Sequence, residues 1–503
     1  MAGAHAWVVD VEGPFPAAVA ETHSGVVFFL GDRAYKLKKP VDLGFLDFRT
    51  REARLDACRR EVALNRRLAP DVYLGIADIH GPDGQPCDHL VVMRRMPDDR
   101  RLSSMVAAVV DVTEHLAGLA ALLARFHAGA DRSPSIDEVA TRDAVRRRWE
   151  TNHDEMAPFR AAVLDPETED GMISLARRYL AGRGPLFSQR VDEGRACDGH
   201  GDLLADDIFC LDEGPSGPGS GMAGPRVLDC LEFDDRLRFG DALADVAFLA
   251  MDLERLGRPD LASEFLARYQ DASGDGWPPS LAHHYIAYRA QVRAKVAAVR
   301  WAQGDTASAA TAAHLLALGH DHLREARVRL VLVGGGPGTG KSTVARGIAA
   351  PLDALMLRSD EVRKSLAGLD PLVPSPAPLE EGLYRPAMTD ATYTEVLARA
   401  RTALELGRTV VLDATWSDPR WREAAAGVAS APAADLVELR CVAPLDVALE
   451  RVRRRSGTDA SDATEEVTRA LAGRAGDWST ATEIDTSGDA SAAISGALRR
   501  ARR

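Results

Sequence analysis

GGGPGTGKST, residues 334–343, follows directly on the apolar run VRLVLV at 328–333 and decides how the last third of this chain is read. Gly335 and Gly340 stand at the spacing of the phosphate-binding pattern G-x-x-x-x-G-K-[ST], with Gly336, Pro337, Gly338 and Thr339 between them and Lys341, Ser342 and Thr343 after. Glycines let backbone N–H groups curl around phosphate oxygens, and Lys341 is long enough to reach a β- or γ-phosphate. Ser342 offers a hydroxyl to Mg²⁺, and the following helix points its positive end at the anion. A strand before and a helix after are what this motif needs, so a nucleotide site is expected here.

Working outward, apolar strands are expected at 328–333, 354–358, 409–413, 436–442 and 482–485, with helices between them. Strands alternating with helices predict a parallel sheet covered on both faces, with ligands at the carboxyl ends of the strands. Asp360 and Arg363 in RSDEVR (358–363) follow the second strand, where the aspartate can act as base or substrate anchor and the arginine can hold an anion. Asp413 ends the strand of VVLDATW (410–416), the position of a carboxylate that binds Mg²⁺ through water. Helix capping is the plainer role for both aspartates. Four arginines between 451 and 455 open a segment, 450–476, expected to form a flap, with Arg451, Arg454 and Arg455 as phosphate-closing candidates and Arg454 the catalytic one.

At 503 residues the chain is too long for one ordinary domain. The boundary is expected near Arg327, giving one domain over 1–326 and another over 327–503. The first begins with strands at 26–30 and 34–38 joined by Gly31-Asp32-Arg33, then a helix over about 48–69 and a strand at 89–96. A mainly helical stretch to 190 is expected to break around Asp165–Gly171. The Gly/Pro/Ser-rich stretch 214–225 reads as a hairpin insert, and four helices are expected over 239–326. Within this half, His200-Gly201-Asp202 is followed five residues later by Asp207, and a short apolar strand ends on Asp229. Phosphoryl transfer needs one carboxylate to orient an acceptor hydroxyl and oxygen ligands for Mg²⁺, and these three aspartates supply them in that order.

HGDLLADDI (200–208) resembles the catalytic loop of the aminoglycoside phosphotransferase superfamily, and GDALADVAFL (240–249) is similar to its later aspartate-rich segment. The resemblance implies a bilobal protein-kinase-like domain in which Asp202 is the base and Asp207 and Asp229 are metal ligands. Asp241 and Asp245 would brace the loop. Lys36 in AYKLK (34–38) resembles the strand lysine that holds the α/β-phosphates, and Glu61 its helix partner; Lys38 lies on the same strand face, so alternation alone leaves the choice open. VVMRRM (91–96) would be the strand against the adenine. Position 207 is Asp where that superfamily usually has Asn, and the loop Thr22–Gly25 lacks a G-x-G-x-x-G pattern. Glu232 and Asp234 stay open as alternatives to Asp229. The half after 327 resembles small P-loop kinases of the gluconate kinase, zeta toxin and polynucleotide kinase type, without the extra modules of ring-forming ATPases.

The expected class is therefore mixed α/β and α+β: a kinase-like domain fused to a P-loop domain with a parallel sheet. The expected function is ATP- and Mg²⁺-dependent transfer of a phosphoryl group to the hydroxyl of a small molecule of sugar, aminosugar or nucleoside type. Two alternatives stand beside it: catalysis by the P-loop half alone with the first half regulatory, or a nucleotide-dependent switch acting on a partner protein. A net charge of −13 argues against general nucleic-acid or membrane-surface binding. The six cysteines lack a C-x-x-C pair and read as reduced thiols in a cytoplasm. The apolar stretch 116–124 is too short to span a bilayer. His283, His284, His314, His320 and His322 read as surface or core histidines, and the sequence does not state the oligomeric state.

Overall fold

A computed structural model gives the fold and describes residues 7–9, 17–21, 25–42, 47–212, 223–370, 382–454, 464–472 and 477–502. The chain forms two compact units. The first comprises Met1–Ser174, Phe187–Trp277 and Ala282–Leu323; the second comprises Leu175–Leu186, Pro278–Leu281 and Arg324–Arg503.

The first unit opens on strands β1 (Trp7–Val9), β2 (Ala17–Glu21), β3 (Gly25–Leu30), β4 (Arg33–Lys38), β5 (Tyr73–His80) and β6 (Pro86–Arg94), in the antiparallel order β1-β2-β3-β4-β6-β5. Gly31, at φ 57°, turns the β3–β4 hairpin expected from the sequence. β1, β2 and β5 were not foreseen: their side chains alternate too weakly to announce a strand. The helix Arg51–Asn65 packs against the sheet, its first turn capped by the Thr50 hydroxyl, which accepts from Ala53 N at 3.2 Å. Cys58, Glu61, Val62 and Asn65 share its buried face at spacings of three and four. Cys58 and Val62 join Ala34, Val91 and Met93 in the core between helix and sheet. That packing aims Glu61 at β4.

Further on, β7 (Ala196–Asp198) leads into the HGD loop, and β8 (Ile208–Leu211) pairs with β9 (Gly224–Val227). β10 (Phe239–Asp241) returns antiparallel to β7. The four expected helices follow as Ala242–Arg255, Pro259–Ser273, Pro279–Ala302 and Ser308–Glu325. One expectation is corrected: no break falls at 165–171, because Asp165 accepts from Thr168 N at 2.9 Å and so starts the helix Pro166–Ala181. Most of the insert expected at 214–225 lies outside the described residues.

The second unit is built on β11 (Arg329–Gly334), β12 (Leu355–Arg358), β13 (Val410–Asp413), β14 (Asp435–Val442) and β15 (Thr482–Asp485). All pair in parallel, in the order β12-β13-β11-β14-β15. Both faces are covered, so 330–333 in β11 and 410–412 in β13 read as unbroken apolar runs, each residue buried. Val331, Val333, Val344, Ile348, Val411, Leu439 and Ile484 form the core that sets the carboxyl ends of β11 and β13 side by side. Residues 175–186 also pack in this unit: Arg183 donates to Pro432 O at 2.7 Å, and a Cβ on Gly182 would fall 1.8 Å from that carbonyl oxygen.

All six cysteines are free thiols, five of them buried. Among the described residues no helix is long and apolar enough to cross a membrane.

Candidate active sites

In the first unit Lys36, central in β4 between Val27 of β3 and Val91 of β6, is the meeting point. Its Nζ lies 2.8 Å from Glu61 Oε1 and donates to Asp229 Oδ1 at 2.7 Å. Three segments far apart in the chain thus converge on one ammonium. Lys38, on the same face, lies 2.6 Å from Glu61 Oε2 and also pairs with Glu232. Burial opposes charge on Lys36, but Asp229 and Glu61 outweigh it and hold the ammonium well above its usual range. Burial likewise works against the Glu61 carboxylate, and Lys36 and Lys38 overcome it and hold it low. Asp229, at φ 62°, is held down to about 2, chiefly by the charge of Lys36. Of the residues left open with it, Glu232 is turned to Lys38 and Asp234 caps a short helix by accepting from Arg236 N at 2.9 Å.

The HGD loop is fixed from behind. Asp245 accepts from His200 N at 2.7 Å and Gly201 N at 2.8 Å, and its Oδ2 lies 3.0 Å from His127 Nε2. Gly199 faces the same carboxylate so closely that a Cβ there would come within 2.8 Å of it. Asp241 accepts from Arg190 and from Leu243 N, locking the following helix to the unit's interior. Asp245 takes the loop-bracing position that the resemblance implies, whereas Asp241 contacts Arg190 and Leu243 rather than the loop. His200 is fully buried, and burial lowers it to about 4, so it is neutral at physiological pH. Asp206 is drawn aside to Ser103, leaving Asp207 to face Asp202 and Asp229. Burial raises Asp207 well above the carboxylate range, and the charges of Asp229 and Asp202 add to that. Burial also raises Asp202, against the pull of Arg293.

Three carboxylates that repel one another across a shared space fit a divalent cation, which removes the repulsion. Among the described residues no three acidic, histidine or cysteine side chains lie close enough to cage a metal by themselves. Mg²⁺ keeps waters and phosphate oxygens among its ligands and needs only one or two carboxylates, so a pair such as Asp207 and Asp229 could hold it. Of the loop Thr22–Gly25, residues 22–24 lie outside the described residues.

In the second unit the glycine loop has the shape of an anion cradle. Gly335, Gly338 and Gly340 take φ 138°, 79° and 79°. A Cβ on Gly335 would fall 2.6 Å from Cys441 O, and one on Gly338 would fall 2.3 Å from Ala448 O, so the close approach requires glycine at both. Thr339 Oγ1 donates to Gly336 O at 2.8 Å and Thr486 Oγ1 to Thr339 O at 2.6 Å, which stiffens the turn. Lys341 is buried in the first turn of the helix Lys341–Ala349, beside half-buried Ser342 and exposed Thr343, and has no ion pair among the described residues. A buried cation without a carboxylate partner, at a helix N-terminus, fits a phosphate.

Asp413 is buried at the end of β13, and its Oδ1 has no hydrogen-bond partner among the described residues, which fits a metal-bound water. Its Oδ2 accepts from Arg358 Nε at 3.3 Å, a partner that the sequence reading missed. The register between β12 and β13, which sets Arg358 opposite Asp413, carries that information. Asp360 and Arg363 are brought together, Arg363 Nη1 donating to Asp360 Oδ1 at 2.6 Å with its guanidinium over the Tyr384 ring. Arg451 reaches the cradle from outside, donating to Thr486 O at 2.6 Å and Gly338 O at 3.4 Å. Arg454 is not brought to the cradle: its side chain is 79% exposed and pairs with Glu450. Arg455 lies outside the described residues. Where the expected flap is described it is helical, Leu445–Arg453 and Glu465–Ala472. A cavity of about 210 Å³ opens beside the cradle, lined by Gly336, Pro337, Trp416, Arg422, Arg440 and Trp478 among others.

Residues 330–476 match the family model described as an AAA domain. Uncharacterized proteins of Mycobacterium tuberculosis and Mycobacterium bovis are 47% identical over 470 residues, 93% of this chain and 92% of theirs. Among solved structures, the GDP complex of aminoglycoside 2'-phosphotransferase-IIIa aligns with 61% of this chain and 90% of its own at 15% identity and a TM-score of 0.34. A gluconokinase from Sinorhizobium meliloti aligns with 34% of this chain and 90% of its own at 17% identity and a TM-score of 0.24.

Proposed function

The chain belongs to the family of these mycobacterial proteins, and from that premise we propose that it is an ATP- and Mg²⁺-dependent phosphotransferase with two separate nucleotide sites, one in 1–326 and one in 327–503. The acceptor is the hydroxyl of a small molecule. The observation that carries this reading is the convergence of Lys36, Glu61 and Asp229 beside a loop that presents Asp202. In the first site Asp202 takes or orients the proton of the acceptor hydroxyl, and Asp245 keeps its loop in place. Lys36, oriented by Glu61, holds phosphate oxygens, and Asp207 and Asp229 hold the metal.

In the second site Lys341 and the backbone of 335–343 bind the phosphates, Ser342 and Asp413 hold the metal, and Asp360 addresses the acceptor. Arg363 and Arg451 position their neighbours there, and Arg454 and Arg455 serve only if the segment after 450 closes. The bound cation supplies charge neutralisation at the phosphates in both. Support for the second site is the cradle in which Gly335 and Gly338 leave no room for a Cβ, with buried Lys341 behind it.

ATP consumption measured over a panel of hydroxyl acceptors tests the reading in the wild type, Asp202→Ala and Lys341→Ala. Each variant is expected to lose a different activity, the loss of a general base costing ~10²–10⁴-fold. Full activity of Asp202→Ala on every acceptor would overturn the dual-site reading and leave the P-loop half as the sole catalyst.

A further inference from the structure

The helix Pro279–Ala302 turns a basic face toward the first site that the resemblance does not foresee. Arg289, Arg293 and Arg300 stand at i, i+4 and i+11, within about 40° of one another at 100° per residue, along about 16 Å of helix. Arg293 Nη1 lies 3.9 Å from Asp202 Oδ1. That is an ion pair too long for a hydrogen bond, and none of the Arg293 N–H groups has a hydrogen-bond partner among the described residues. Arg289 donates from Nε to Ala244 O at 2.9 Å and from Nη1 to Gly201 O at 3.5 Å, with its plane over the Phe248 ring. The face therefore lies against the loop that carries Asp202. Arg300 has a buried Nε without a hydrogen-bond partner among the described residues. Among the described residues Asp202 is the one carboxylate within ion-pair distance of any of the three.

Asp202 is the only carboxylate of the described residues paired with this face, at 3.9 Å from Arg293, so guanidinium donors are left unfilled beside the group that addresses the acceptor. We propose that the Arg289–Arg293–Arg300 face recognises an acidic group, a phosphate or a carboxylate, carried by the acceptor on the same molecule as its reacting hydroxyl. The inference rests on the reading of Asp202 as the acceptor-side base. Arginine matches both anions because its planar fork meets two oxygens at once. Repulsion between like charges then disfavours amine-rich acceptors at the same place. Arg293 is shared between Asp202 in the free protein and the acidic group in the complex, so acceptor binding frees the base from its counter-ion.

The test uses the full chain with the second site silenced by Lys341→Ala. It compares kcat/KM for glucose 6-phosphate, gluconate, glucose and glucosamine, which share a polyol framework and differ in charge. At least one of the two acids should be used tenfold or more better than glucose, with glucosamine the poorest; which acid leads distinguishes phosphate from carboxylate recognition. Arg293→Met and Arg300→Met should each lower the acid-to-glucose ratio about tenfold to a hundredfold, the loss expected for one charged hydrogen bond. Arg293→Lys, with an unchanged Tm, should retain part of the preference. Glucosamine used as well as glucose or better, or an acid-to-glucose ratio unmoved in both Met variants, overturns the proposal. If no acceptor is turned over, the reading of Asp202 as a base fails. Calorimetric binding of the same four compounds then decides the arginine face separately. Binding of an acid that weakens tenfold or more in Arg293→Met upholds it; acids that bind no better than glucose overturn it.

Discussion

The second site draws its phosphate cradle from eight consecutive residues, 335–342, while the first gathers Lys36, Glu61, Asp202, Asp207 and Asp229 from segments spread over nearly two hundred positions. The two also differ in how they are held. The cradle depends on backbone shape, glycines at positive φ pressed against Cys441 and Ala448. The first site depends on charge: Lys36 and Lys38 against Glu61, Asp229 and Glu232, and a buried Asp245 behind the loop. The glycine cradle fails through a misplaced methyl group, the charge-held site through an unpaired ion.

Asp202→Ala and Lys341→Ala carry the largest expected effect, ~10²–10⁴-fold for the general base. Both leave the opposite site's turnover in place if the sites are separate. Asp245→Ala comes next. It strands the N–H groups of His200 and Gly201 and leaves His127 without its partner, and removing one member of a buried pair costs ~3–5 kcal/mol. Denaturant unfolding of the first unit measures it, and a loss under ~1 kcal/mol would show that the loop is not held from behind. Gly338→Ala is the matching change in the second site: the residue sits at positive φ and its new methyl group would meet Ala448 O at 2.3 Å. Nucleotide binding there should be lost, and stability should fall by more than the ~1 kcal/mol expected of backbone strain alone. Gly340→Ala, whose Cβ would meet only ordinary contacts at 3.4 Å or more, should stay near that strain cost.

Acid separates the units more gently. None of the thirteen histidines falls in 175–186, 278–281 or 324–503, so the second unit has none. Burial lowers His200 to about 4 and His284 to about 3, so the folded first unit binds fewer protons than its unfolded chain over that range. Its stability should therefore fall as pH drops from about 6.5 toward 4, then level off below the folded values. His284→Gln should flatten that slope. An equal slope in wild type and variant would assign the effect elsewhere. At lower pH a second loss is expected as protonation of Asp229, held down to about 2 by Lys36, removes the stability that pair gives above the ordinary carboxylate range. The smallest effect is expected from Arg454→Ala, an exposed pair with Glu450 worth ~0.3–0.5 kcal/mol. A large loss of second-site turnover in that variant would show that Arg454 moves onto the transferring phosphate.

Legibility followed the same divide. The five parallel strands and the four helices after 239 were readable because each is a run whose own period or unbroken apolar character states its class. β1, β2 and β5 gave no such sign, and the helix from Pro166 was hidden by polar residues that turn out to be its cap and first turn. Whether Lys36 or Lys38 binds the helix glutamate could not be decided by alternation, since both face the same way. In the structure both reach Glu61, and it is Asp229 against Glu232 that separates them. Arg358 on Asp413 and the arginines facing Asp202 were out of reach, because neither pairing follows from spacing within a single segment.

The sequence by itself determined where the glycine cradle lies, because eight neighbouring residues carry its spaced glycines and Lys341, although the carbonyls of Cys441 and Ala448 that forbid a Cβ come from the fold. It also determined which residue types are present for phosphoryl transfer and in what order. Only the tertiary structure decided which carboxylates share a space, which lysine faces Asp229, that Arg454 points away, and that residues 175–186 pack with the second unit. The physical reason is range: backbone conformation is set by near neighbours, whereas an ion pair or a shared metal space is set by whichever distant segment the packed core brings within a few ångströms.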